Sequence, residues 1–235
     1  MPDMRERFLT IAADPRIVPG VHHHCDEWCD YCRVSDRCLA FRCTNEYRKT
    51  HARKHGEETF SSIDEAVTFT RDLSAVEGVS TAALDALLGN RSAPPEVTSD
   101  PLAVSAWDYA VAVALAYGPQ SLAAPDGPSR RAEPSPQDVL LWYHLRIYMR
   151  VFRAITAVHG TGLRSDNSDE ALGSAKLALY SIKRSKDAAL MLAEPPGQST
   201  AGELAVKLDA LECGVRERFP SADAYVRIGL DTPAA

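Results

Sequence analysis

The sequence predicts an all-α protein: a bundle of four or five long helices with a cysteine-rich segment near its N-terminus. Three observations predict this. Apolar residues recur at the 3.6-residue helical period over long stretches. No window of four to eight residues alternates with period two while being enriched in β-branched side chains. Five of the six cysteines fall between Cys25 and Cys43, on a chain of 235 residues that is 45% hydrophobic and can build a core without disulfide staples.

Taken in order, residues 1–24 form a short lead, helical before Pro15, that closes in a turn at Pro19-Gly20. The cysteine segment follows, and residues 45–56 are polar and basic. Ser62-Ile-Asp-Glu65 reads as a capping box, in which hydroxyl and carboxylate satisfy free backbone donors reciprocally. It opens a helix carrying Ile63, Val67 and Leu73. A second short helix is expected from Thr81 to Leu88, ended by Gly89-Asn90.

Asp100, with Pro101 at the first helical position, starts a stronger helix in which Trp107, Val111, Ala114 and Leu115 keep helical spacing. It stops at Gly118-Pro119. Five prolines between 118 and 136 make that stretch a surface loop. The helix expected over 137–159 aligns Val139, Leu140, Tyr143, Ile147, Val151, Phe152 and Ile155, and puts Arg146, Arg150 and Arg153 together on an exposed face. A further helix, 169–193, carries Leu172, Ala175, Leu179, Ile182 and Ala189 opposite Lys176, Lys183, Arg184 and Lys186. Thr200-Ala-Gly-Glu203 reads as the box that opens the last helix, with Leu204, Leu208, Leu211, Val215 and Phe219 inward and Pro220 as its stop. The expected division is a metal-binding segment, 1–56, and a bundle, 57–235, interrupted by the 118–136 loop but forming one unit.

Formal charge is −6, from 26 Lys and Arg against 32 Asp and Glu, which excludes a globally basic nucleic-acid binder. The charged N-terminus has no apolar core behind it, and Leu102 to Tyr117 is too short and weakly apolar to span a bilayer, so a cytoplasmic location is expected. In such a compartment clustered cysteines bind metal more readily than they form disulfides.

The spacing is C-x3-C-x2-C-x5-C-x4-C, from Cys25 through Cys29, Cys32 and Cys38 to Cys43. Gaps this short let thiolates converge on one centre. Two outcomes suit four soft ligands: an iron–sulfur cluster of the 4Fe-4S type, or tetrahedral zinc. Zinc ribbons pair two C-x2-C knuckles, whereas only Cys29 and Cys32 make one here, so the cluster is the first expectation and zinc the alternative. Cys25, Cys29, Cys32 and Cys38 are the expected ligands, Cys43 a spare, and Cys213 a small buried hydrophobe beside Leu211 and Val215.

Cys29-x2-Cys32-x5-Cys38 is similar to the cluster motif of iron–sulfur exonucleases of the CRISPR-associated and RecB type, which implies a 4Fe-4S centre with Cys25 as fourth ligand. That family's acidic pair followed by Glu-x-Lys is not found, so nuclease activity does not carry over. Cys25-x3-Cys29-x-Tyr31-Cys32 also resembles the motif of radical S-adenosylmethionine enzymes, a family that implies a (β/α) barrel with flanking strands that this sequence does not show. In the order of its features the chain resembles an uncharacterised family of bacterial helical proteins. These join Cys-Asp-x-Trp-Cys-x2-Cys-x5-Cys to a bundle; the second block of likeness is Gly173 to Ser185, here Gly-Ser-Ala-Lys-Leu-Ala-Leu-Tyr-Ser-Ile-Lys-Arg-Ser. The resemblance implies a metal site and a helical fold, and no activity.

Other candidates are weaker. His22, His23 and His24 adjoin the first cysteine, so one could ligate or orient the metal. His51 and His55, four apart, share a helix face and offer either an auxiliary zinc pair or an exposed polar face. His144 reads as a satisfied core histidine. No histidine has Glu three positions before it, which rejects a di-iron bundle site, and no P-loop, G-x-S-x-G or H-E-x-x-H occurs. Between Arg33 and His55 seven basic residues face two acidic ones, a patch that could contact nucleic acid or an acidic protein, with Trp28, Tyr31 and Phe41 nearby. The expectation is a redox or regulatory binding module, with a zinc protein contacting nucleic acid and a cluster-dependent enzyme as alternatives.

Overall fold

The computed structural model describes residues 4–55, 63–78, 95–118, 133–159, 167–193 and 199–231, and no strand occurs among them. The chain is all-α. It divides into two compact units, residues 1–92 with 227–235, and residues 93–226.

In the first unit, α1 (Met4–Ala12), α2 (Leu39–His55) and α3 (Ile63–Val76) bury one aromatic cluster. Phe8 of α1 and Tyr47 of α2 both meet Phe69 of α3 edge-on, at 5.5 and 5.2 Å between ring centroids, with Leu39 and Cys43 filling the rest. Burying a side chain the size of Phe8 contributes about 2 kcal/mol. Helix α3, which the sequence pattern grouped with the bundle, thus belongs to the unit of the cysteine segment, because Phe69 is the ring that closes this core.

Ion pairs hold the same unit. Asp14, just past α1, accepts from Arg42 of α2 at 2.6 Å and from Arg16 through its backbone and guanidinium. A second cluster, Val18, Val21, Val34 and Cys38, lies under the cysteine segment with Leu230 packed against it. The Val18 amide donates to the Arg37 carbonyl at 2.9 Å. Gly229 crosses Val18 so closely that a Cβ there would sit 2.8 Å from Val18 Cγ1, and its φ of +74° is one glycine adopts without strain.

The second unit holds α4 (Pro95–Thr98), α5 (Pro101–Tyr117), α6 (Pro136–Val158), α7 (Asn167–Leu192) and α8 (Thr200–Arg218). Helix α7 packs between α6 and α8, and α5 closes the ring against both, a four-helix bundle. Asp100 caps α5 by accepting from the Leu102 amide, and Pro101 occupies the first turn as expected. Ser135 and Asp138 form a reciprocal capping box at the start of α6. The cap of α8 is Ser199, whose hydroxyl accepts from the Gly202 amide, one residue before the expected Thr200.

The inward face of α5 is not the expected one. Trp107, Val111 and Leu115 are exposed, while Ala103, Ala106, Tyr109, Ala110 and Val113 are buried. Because α5 is apolar nearly all round, spacing alone does not choose its face; close helix approach does, and it selects alanines. Trp107 instead lies at the edge against Tyr148 of α6. The arginine row on α6 is likewise not a solvent face. Arg150 is buried, Arg153 Nε donates to the buried Glu170 of α7 at 2.7 Å, and Arg146 stacks over the Trp142 ring at 3.7 Å. Cys213 is exposed rather than core, since it stands two residues from each of Leu211 and Val215, off their side of α8.

The expected Ser62 cap, the 81–88 helix and most of the 118–136 loop lie outside the described residues. No helix among the described residues is long and apolar enough to cross a membrane.

Candidate metal centre

The cysteine segment is folded by two successive tight turns. A 3-10 turn, Cys29–Tyr31, ends at Cys32, whose amide donates to the Cys29 carbonyl; a second, Ser35–Arg37, ends at Cys38, whose amide donates to Ser35. Before them the chain reverses at Glu27, which has φ +59°, a left-handed conformation that costs a non-glycine residue about 1 kcal/mol. The Asp26 carboxylate accepts from the Trp28 amide at 3.3 Å and steadies this reversal. Trp28 is buried and packs edge-on against Tyr31 at 4.9 Å.

These turns bring all four expected ligands together. Cys25, Cys29, Cys32 and Cys38 line one small cavity with His22 and Trp28. Among the described residues no three of the thiols lie within 4.8 Å of one another. Tetrahedral zinc with Zn–S bonds of about 2.3 Å draws its sulfurs to roughly 3.8 Å apart. A donor set of four thiols suits either tetrahedral zinc or an iron–sulfur cluster.

Burial pushes the Cys25 thiol up to about 12, and the neighbouring Cys38 adds to the shift. Burial, then Cys38 and Cys32, raises Cys29 to about 11, and burial raises Cys38 as well. A cation among these thiols would offset both the desolvation and the mutual repulsion of thiolates. Cys43 is a different case. It does not line the cavity; it is fully buried in the Phe8–Phe69 cluster, where burial raises it to about 12.

Sequence reasoning missed Glu77. At the end of α3, its carboxylate meets His22 Nε2 at 2.9 Å and His23 Nε2 at 3.5 Å, with the two imidazoles edge-to-face at 4.4 Å. Burial alone would raise this carboxyl, but the histidine hydrogen bonds outweigh it and bring it down to about 2. No motif links Glu77 to the histidines; only the packing of α3 on α1 places it there. Gly20, at φ +68°, gives the chain the turn that leads into His22 and His23.

The remaining candidates separate clearly. His144 bonds the Leu141 carbonyl through Nδ1 at 2.6 Å and is half-buried, the satisfied histidine expected, and burial lowers its pKa. His51 and His55 lie on α2, with side chains outside the described residues. In the basic stretch 33–55, Arg33 donates to the Leu230 carbonyl, Arg37 to the Arg16 carbonyl and Arg42 to Asp14. Those three arginines tie the segment together rather than forming a free row for phosphate. On the bundle, Lys176 donates to the Asp223 carbonyl, and Lys186 pairs with Asp209 and Glu212.

The fold and site thus define an all-α protein with a thiol-lined cavity beside a histidine–carboxylate cluster. The chain matches no protein-family model, and neither a curated protein nor a solved structure is significantly similar to it.

Proposed function

We propose that this protein binds metal through Cys25, Cys29, Cys32 and Cys38, as a 4Fe-4S cluster, and serves as a redox or regulatory module rather than as an enzyme. The observation that supports this reading is that all four thiols line one small, largely apolar cavity. When bound, the cluster would supply one-electron chemistry or a sensitivity to oxidants. The chain contributes a desolvated pocket walled by Trp28, Val21 and Val34, which limits water at the thiols.

Anaerobic purification with iron, zinc and sulfide analysis and a visible spectrum tests the proposal. Iron and sulfide in near-equal amounts with broad visible absorbance are expected. Stoichiometric zinc in a colourless sample would assign a structural zinc site instead, and absence of metal after reconstitution would end the reading altogether.

A further inference from the structure

We infer that His22 is itself a ligand of the metal centre, through Nδ1, in place of one of the four thiols, and that Glu77 is the residue that orients it. The inference rests on the reading that the thiol cavity holds metal, and revises its ligand set to His22 with three of the four cysteines.

Three observations meet at His22. Its ring lies mostly out of solvent, with its side chain 16% exposed, and it lines the cavity with the four cysteines. Its Nε2 is taken by the Glu77 carboxylate at 2.9 Å. Its Nδ1 is buried and has no hydrogen-bond partner. A carboxylate can only accept, so Nε2 carries the proton in this pair, and in the neutral imidazole Nδ1 is left with a lone pair. Leaving a buried nitrogen unpaired is costly. That cost disappears if the lone pair is donated to a metal in the adjoining cavity.

The arrangement is also the one that metal-binding histidines use generally: one ring nitrogen on the metal, the other N–H on a carboxylate that fixes tautomer and ring angle. Glu77 would do so from α3, and His23, approaching the same oxygen at 3.5 Å, would brace the carboxylate from its other side. Cys25 contacts the same residue, its thiol reaching the His22 carbonyl at 3.4 Å, so the imidazole belongs to the wall from which the first thiol projects.

The opposite polarity, an ion held by Nε2 of both histidines and by Glu77, uses three atoms that already lie within 4.8 Å of one another. It would drive the His22 proton onto Nδ1, a buried donor with no acceptor, and is disfavoured for that reason.

The full chain is reconstituted with ferrous iron and sulfide, reduced, and labelled with ¹⁵N-histidine for pulsed electron paramagnetic resonance; a second sample is loaded with zinc alone for X-ray absorption. Expected results are a directly bonded histidine nitrogen on the reduced cluster, or three sulfurs and one imidazole nitrogen on zinc. The signal should vanish in His22→Ala, and three of the four single Cys→Ser variants should lose metal. Glu77→Gln should keep the nitrogen but release metal to a chelator about ten- to a hundredfold faster, while His23→Ala changes release less. Metal that is lost in the Cys→Ser variants yet shows no histidine nitrogen overturns the role of His22 and leaves the thiol site standing. Metal that survives every Cys→Ser change and is lost in His23→Ala overturns it in favour of the separate ion. Failure of the wild-type chain to hold iron or zinc overturns the thiol site as well.

Discussion

Arg153 on α6 and Glu170 on α7 form an ion pair at 2.7 Å in which the carboxylate is almost wholly buried, 1% exposed, while the guanidinium keeps a third of its surface. The asymmetry makes the two halves of the pair unequal. Arg153→Met takes a guanidinium away from a buried carboxylate and should destabilise the bundle by about 1–3 kcal/mol. Glu170→Leu removes the buried charge itself and should cost less. Urea unfolding of both variants and of the double variant measures this. Equal losses from the two single changes would show that the burial asymmetry has no energetic weight.

The three classes of cysteine predict three different outcomes on change to serine. Cys32→Ser should lose metal while helical ellipticity stays, because the thiol cavity is formed by turns and the helices have cores of their own. Cys43→Ser puts a hydroxyl into the Phe8–Tyr47–Phe69 cluster and should keep metal yet lose about 1–2 kcal/mol. Cys213→Ser, on the exposed side of α8, should change neither. Metal content and thermal melting on the same preparations separate these outcomes.

Asp14 gives the first unit a defined response to acid. The hydrogen bonds from Arg16, then from Arg42, hold its carboxyl well below the usual carboxylate range. A folded-state value below the unfolded one, about 3.9, means stabilisation that is complete above that pH and fades as pH falls through the folded value. Asp14→Asn should therefore lower the urea midpoint at pH 7, and the gap from wild type should shrink as pH drops from 4 towards 2. A gap that stayed constant over that range would show that the pair does not couple to folding.

Gly229 meets two constraints at once, a positive φ and a neighbour at 2.8 Å from any added Cβ. Gly229→Ala should cost about 1–2 kcal/mol from the backbone alone, with further loss as Val18 is displaced. Because Val18 packs with Val21, Val34 and Cys38, the variant should also release metal faster than wild type. A chelator-challenge rate identical to wild type would separate the C-terminal segment from the cavity.

What the sequence made legible followed from locality. Asp100, Pro101 and the run from Val139 to Ile155 announce their helices through caps and periodicity that operate within a few residues. The four cysteines are equally local, gathered by two short turns, so spacing alone brought them together. The inward face of α5 was not legible, because a helix apolar on several sides takes its orientation from how near its neighbours come; the alanines record that only once the bundle exists. The burial of Arg150 and the pairing of Arg153 with Glu170 escaped for a related reason, since arginines at helical spacing look the same whether or not a carboxylate waits on the next helix. Glu77 carried no signal in its own surroundings. Its meaning depends on α3 packing beside α1, a fact of tertiary structure.

The first unit is discontinuous: residues 93–226 are made and can pack before Gly229 and Leu230 exist to close on Val18 and Cys38. During synthesis the helical bundle is therefore an insertion made before Leu230 can pack against the cluster of Val18, Val21, Val34 and Cys38. A chain stopped short of Gly229 would carry every proposed ligand and every residue that lines their cavity, and still lack the leucine that packs against Val18, Val21, Val34 and Cys38.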